Sequence, residues 1–203
     1  MKDHIDALFS SRQADIIRAV LKLADQIGIG KLTTKRIAAE VGFAEGALYR
    51  HIRSKDEVFD LIIEMVRRMV AEKSRELEGQ THEASKLRGF FTYALEFLEQ
   101  YPGIYHIIFS DAHYDHSEKH FDQFKTLIFD IQHLVAGIIH RGQEQGTFTR
   151  RFDSEDLALN YLGTIHTAFT LWNVFNRRQQ TLPQTARPFI EQYMYLLNPE
   201  VTP

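Results

Sequence analysis

The 203-residue chain is predicted to be all-α, with about nine helices. Three observations predict it. Apolar residues recur at i, i+3, i+4 and i+7 in nearly every segment. Glycine or proline stands at most of the breaks between those segments. No valine-rich alternating run suggests a strand. The early helices are short and the later ones long. This contrast predicts a small three-helix head over residues 1–54 and a larger helical body over residues 55–203.

The first helix is expected over Arg12–Gln26, with Ile16, Ile17, Val20, Leu21, Leu23 and Ala24 on its apolar face. Gly28 and Gly30 end it. Thr33 and Thr34 offer an N-cap for a second helix to about Val41, with Ile37, Ala38 and Val41 inward, and Gly42 stops it. A third short helix runs from about Glu45 to His51. Ser54 and Glu57 have capping-box spacing and start a long fourth helix through Val58, Leu61, Ile62, Met65, Val66 and Met69 toward Leu77. Gly79–Thr81 ends it. A helix near Glu83–Glu99 meets Tyr101-Pro102-Gly103, a strong stop. Ile104–Ser110 reads as a short apolar helix, and His113–Glu118 as a polar loop or helix start. Phe121–Gln143 is a long helix, followed by a turn through Gly142, Gly146 and Thr147 toward Phe152. Asp153 or Ser154 caps Leu157–Arg178, and Pro183 or Pro188 precedes a last helix to about Leu197.

Composition narrows the function classes. Hydrophobic residues make up 44% and charged residues 25%, as in ordinary globular proteins. There is no cysteine, which excludes disulfides, thiolate zinc sites and a cysteine nucleophile. The opening MKDHIDALFSSRQADII does not read as a signal peptide, and no apolar run is long enough to span a membrane. A cytoplasmic location is expected. The net charge of −3 is uneven: residues 1–53 carry nine Lys/Arg against six Asp/Glu, and residues 54–203 carry fifteen against twenty-one. The basic excess sits in the head, where it suits a polyanion.

Leu32–Lys55, LTTKRIAAEVGFAEGALYRHIRSK, has the layout of a helix-turn-helix. Glu40-Val41-Gly42-Phe43 is the turn, and Gly42 sits where a left-handed backbone is needed. Ala38 and Ala39 are small enough for close helix crossing, and Val41, Phe43 and Leu48 are the expected core between the two helices. The outward set of the third helix is Glu45, Gly46, Ala47, Tyr49, Arg50 and His51. Gly46 and Ala47 let the backbone approach a groove floor, and Ala47 suits a thymine methyl. Tyr49, Arg50 and Lys55, with Thr33, Thr34 and Lys35, suit phosphate contact. Glu45 either accepts from a cytosine amine or faces solvent.

The same residues resemble the TetR-type bacterial transcriptional regulators. The resemblance is carried by Ile16, Ala24, Gly28, Leu32-Thr33-Thr34, Ile37-Ala38, Val41-Gly42, Gly46, Leu48-Tyr49, His51 and Ser54-Lys55-Asp56. It implies that the third helix reads double-stranded operator DNA and that Tyr49, Lys55 and residues near Thr33 and Thr34 contact phosphates. Two positions depart from the family pattern. Ala44 stands where serine usually caps the recognition helix, a loss of roughly 1 kcal/mol. Ile52 replaces phenylalanine and keeps an apolar plug. The resemblance weakens after residue 60, although Tyr101-Pro102-Gly103-Ile104-Tyr105, Gly146-Thr147-Phe148 and the helix through Trp172 are similar to common family patterns. It implies a body that binds a small effector and pairs its last two long helices with those of a second copy.

The body's own residues agree with that implication. The helix from Asp156 to Arg178 is apolar on more of its surface than one core stripe needs. Leu162, Ile165 and Phe169, with Phe189 and Tyr193 of the last helix, are the expected dimer contacts. The middle of the chain is rich in aromatics, which predicts an apolar or aromatic effector. Phe91, Tyr105, Phe109, Phe124 and Phe169 are the expected lining, with His133 and His166 as polar contacts; the alternative is plain core packing. No cofactor is expected. His113, His116 and His120 share one helical face among carboxylates, a pattern that suits zinc or nickel; the favoured reading is a solvated polar connector, and no metal site is assigned. The chain is not expected to be an enzyme, since it has no nucleophile motif, phosphate loop or HExxH. The competing readings are an all-helical metal-binding protein or enzyme whose head does not bind DNA, and an architectural DNA binder without an effector.

Overall fold

The computed structural model describes residues 4–109, 118–177 and 179–200. Among these the chain is all-α, with ten α-helices, and no helix is long and apolar enough to cross a membrane. Contacts divide it into two compact units, Met1–Val70 with Tyr101–Leu127, and Ala71–Gln100 with Ile128–Pro203.

The first unit holds α1 (His4–Leu8), α2 (Ser11–Ile27), a 3₁₀ turn (Ile29–Lys31), α3 (Thr34–Val41), α4 (Glu45–Leu48), residues 55–70 of α5 (Lys55–Glu78), α7 (Pro102–Ile108) and the start of α8 (Glu118–Glu144). Helix α1 has no counterpart in the sequence-based scheme. Its anchors are tertiary: Ile5 is fully buried, and Asp6 pairs with Arg18 of α2 at 2.6 Å. A capping box starts α2, with the Gln13 amide N–H donating to Ser10 Oγ at 3.4 Å. The expected apolar face of α2 is the core of this unit, together with Ile37, Leu48, Ile52, Ile62 and Met65.

Helix α2 packs on α3 and on α7. At Gly103 the two backbones nearly touch, because a β-carbon there would fall 1.9 Å from the Leu21 carbonyl oxygen. Any other residue would lift α7 off α2.

The second unit packs α6 (Glu83–Gln100), α9 (Ser154–Leu171) and α10 (Leu182–Leu197) together with residues 128–144 of α8. Tyr161 sits fully buried between Phe91 and Tyr193, with ring centroids 5.6 and 5.5 Å away, both edge-on. Both hydroxyls are satisfied by backbone: Tyr161 donates to the Leu87 carbonyl and Tyr193 to the Leu157 carbonyl, each at 2.7 Å. Burying a phenol without such an acceptor would cost about 1–3 kcal/mol. The 145–153 turn is tied down by Gln143, whose amide donates to the Thr149 and Phe152 carbonyls, each at 2.9 Å.

Two expected boundaries differ. The helix expected to run to Arg178 leaves α geometry at Leu171 and widens into a π turn over Trp172–Asn176. There the Trp172 indole N–H reaches the Gln180 carbonyl at 2.8 Å and Arg177 lies over the indole. The last helix begins at Leu182, capped by Thr181, so Pro188 lies inside it, on its exposed side.

Candidate nucleic-acid interface

Helices α3 and α4 are set by their caps. The Arg36 amide donates to Thr33 Oγ1 at 3.2 Å, so Thr33 is the N-cap of α3. At the other end Gly42 adopts φ +80°, ψ 27°, a left-handed C-cap whose N–H returns to the Ala38 and Ala39 carbonyls. Leu48 is fully buried against this turn, while Val41 and Phe43 are only half-buried.

Helix α4 is shorter than expected, with α geometry over Glu45–Leu48 and single turns closing residues 49–52. Ala44 has the extended backbone of an N-cap, φ −66° and ψ 142°, but no side chain to cap with. Gly46 in the next turn adds backbone entropy against the helix. Ile52 is buried and plugs the core below. Ser54 caps α5 by accepting from the Glu57 amide at 3.2 Å, and the Glu57 carboxylate reaches back to the Arg53 amide.

Most of the predicted contact residues come together on this surface. Thr33, Lys35, Glu45, Gly46, Arg50 and His51 are exposed, and Tyr49 is 50% exposed. Thr34 and Ala47 are half-buried. A β-carbon at Gly46 would meet nothing within 4 Å, so the helix presents bare backbone there. The Lys55 side chain lies outside the described residues. Thr34 and Glu45 are not independent, since the Thr34 hydroxyl donates to Glu45 Oε1 at 2.8 Å.

Two cations were missed in the sequence. Arg36 is exposed on α3, with Nη1 donating to the Lys31 carbonyl at 2.9 Å. Arg12 stacks over the Phe43 ring, 5.3 Å from its centroid, and His51 packs on the same ring at 5.7 Å. The basic excess of residues 1–53 was the signal that pointed to them. The surface offers cations and hydroxyls for phosphate and a short side-chain-poor helix for a groove.

The other predicted sites distribute differently. Tyr105, Phe109 and Phe124 belong to the first unit, with the Tyr105 and Phe109 rings 4.8 Å apart and tilted by 40°. Phe91, His133, His166 and Phe169 belong to the second. Phe91 and Phe169 are buried among neighbouring rings, and both histidines are exposed. Of the expected dimer residues, Ile165, Phe169 and Tyr193 are buried in their own protomer, and Leu162 and Phe189 are half-buried. His113 and His116 lie outside the described residues, as does the side chain of His120.

Residues 16–62 match the family model of bacterial regulatory proteins, tetR family. The nucleoid occlusion factor SlmA of Vibrio atlanticus is 26% identical over 158 residues, 77% of this chain and 81% of that protein. Two solved structures share the fold along nearly the whole chain. The ketosteroid transcriptional regulator KstR2 of Mycobacterium tuberculosis superposes with a TM-score of 0.77 at 16% identity, covering 94% of this chain and 96% of its own. The fatty acid degradation regulator FadR of Bacillus halodurans superposes at 0.78 and 18% identity, covering 92% and 96%. The helix-turn-helix of this chain therefore lies within the one stretch, residues 16–62, that matches the tetR family of bacterial regulatory proteins.

Proposed function

We propose that the chain is a ligand-responsive transcriptional regulator, a repressor whose homodimer binds a palindromic operator and is released by a small, largely apolar or aromatic effector. The observation that carries this reading is the surface shared by α3 and α4. Thr33, Lys35, Tyr49 and Arg50 are exposed around a helix whose second residue is glycine. Such a short helix has little grip alone, and two linked heads on two half-sites gain it through effective concentration.

An exposed apolar face on the second unit supports pairing. Phe152, Leu159 and Leu196 are exposed, and Phe152, Phe189 and Leu196 line an apolar groove with Leu157 and Tyr193. A second copy would cover this face. A dimer seated on DNA excludes other proteins from that site, which favours repression. The effector acts by population shift, holding the two heads at a spacing that the operator does not match. The reading needs no metal, cofactor or catalytic group and places the chain in the cytoplasm.

A second reading is a DNA-binding factor with no small effector. It is favoured by the Vibrio atlanticus relative, which is a nucleoid occlusion factor. Selection of bound fragments from genomic DNA, followed by fluorescence anisotropy, tests the common core of both. Tyr49→Ala and Arg50→Ala should each weaken binding to the selected site about tenfold or more. Unchanged affinity in both variants would sink the assignment of α4 as the reading helix. Release of the selected DNA by a small molecule decides for the first reading over the second.

A further inference from the structure

The second unit carries a cleft of about 390 Å³ between the end of α5, the start of α6 and the second half of α8. Leu77, Phe90, Leu134 and Ile138 are its apolar walls, and Lys86 and Arg141 line its polar side. Behind the two cations lies Glu83, whose side chain is 2% exposed. Lys86 Nζ donates to Glu83 Oε1 at 2.7 Å. Arg141 Nε lies 3.4 Å from Glu83 Oε2, an ion pair without a hydrogen bond.

A carboxylate buried this deeply requires a paired cation, and Lys86, itself largely buried, supplies one. Arg141 is surplus to that need. It donates no hydrogen bond among the described residues, and its Nη1 lies back over Gly137, 3.5 Å from where a β-carbon would stand. A guanidinium presents five N–H donors in a planar fork that matches a carboxylate. With Glu83 counted, the two cations leave one positive charge in excess, and the acidic Glu78 on the lining is solvent-exposed and screened.

We propose that this cleft binds a monoanionic organic acid with a compact apolar body, Arg141 and Lys86 taking its carboxylate and Leu77, Phe90, Leu134 and Ile138 its body. The volume lies at the small end of ligand sites, suiting a body of one or two rings and excluding a nucleotide. The inference deepens the effector reading and rests on it for one consequence, that the bound acid releases DNA.

The site is tested on the full chain without DNA, by calorimetric titration with 4-phenylbutyrate and phenylacetate against the uncharged 4-phenylbutyramide. The acids should bind, and the amide about tenfold more weakly or not at all. Arg141→Gln should lower acid affinity about tenfold in a chain that still melts cooperatively, with some loss of melting temperature because the guanidinium lies 3.4 Å from the buried Glu83 carboxylate. Leu134→Trp fills the cleft without replacing a cation and should abolish binding. Acid and amide binding alike, no binding of the acids at about 1 mM, or full affinity in Arg141→Gln would overturn the assignment. The two readings fail separately. Loss of acid binding in a chain that still selects its DNA overturns the cleft alone. Acid binding in a chain that selects no DNA overturns the regulator and leaves the cleft standing.

Discussion

The Thr34 hydroxyl donates to the Glu45 carboxylate at 2.8 Å, joining the first turn of α3 to the first turn of α4. Both side chains are donors or acceptors that DNA would want, and here each occupies the other. The bond also stands in for the missing cap, because it holds α4 at its N-terminal end, where Ala44 offers nothing. It sets the helix near phosphates at the cost of a negative charge among them.

That cost has a sign. Glu45→Gln keeps an acceptor for Thr34 and removes the charge, so affinity for DNA of any sequence should rise, with the largest gain at low salt. Discrimination between the selected site and random DNA should fall, because a repulsion that a correct site offsets is gone. Thr34→Val should lower stability by about 0.5–1.5 kcal/mol. Anisotropy titrations of both DNAs over a salt series read the first effect. Equal loss of affinity for both DNAs in Glu45→Gln would show that Glu45 braces the helix and does not select.

Ala44 provides a gain-of-stability test. Its backbone already has the extended N-cap conformation, so a serine there needs no rearrangement to accept from an amide in the first turn of α4. Ala44→Ser should add about 0.5–2 kcal/mol to the head and should tighten DNA binding, since less helix remains to be ordered on contact. Urea unfolding and anisotropy check the two halves. A serine that stabilises the protein but leaves DNA affinity unchanged would mean that α4 is already fully formed in the free head.

Much of this was legible in the sequence because local chemistry decides it. Thr33, Gly42, Ser54 and Asp153 cap helices where their residue types demand it, and the apolar faces of α2 and α3 follow from spacing alone. What was not legible depends on partners distant along the chain. Helix α1 is too short to show a period and exists through Ile5 burial and the Asp6–Arg18 pair. The π turn at Trp172 has the same apolar pattern as an α-helix, and the indole bond to Gln180 distinguishes it. Spacing showed that the α9 and α10 faces were apolar. It did not show that Tyr161 and Tyr193 would meet each other inside one protomer, leaving Leu159 and Leu196 outside. The Lys86–Glu83–Arg141 group joins α6 to α8, and nothing in either segment alone marks it.

Those buried tyrosines predict an alkaline limit to stability. Burial, with the neighbouring Tyr193, pushes the Tyr161 hydroxyl well above its ordinary value of 10.0. Burial likewise raises Tyr193, and half-burial followed by Glu72 and Glu76 raises Tyr93 to about 12. In the unfolded chain all three ionise near 10, whereas the folded protein keeps their protons. Their contribution is therefore fully present below pH ~10 and declines as pH rises toward the folded values, by up to about 1.4 kcal/mol per pH unit for a fully buried tyrosine. Urea unfolding at pH ~8 and pH ~11 should show this loss. Tyr161→Phe and Tyr193→Phe should each be less stable at the lower pH by about 1 kcal/mol, the lost bond to a backbone carbonyl. Each should also lose less than the parent between the two pH values, because one ionisation has been removed from the unfolded state. If both variants lose as much stability as the parent, groups other than these phenols set the alkaline limit.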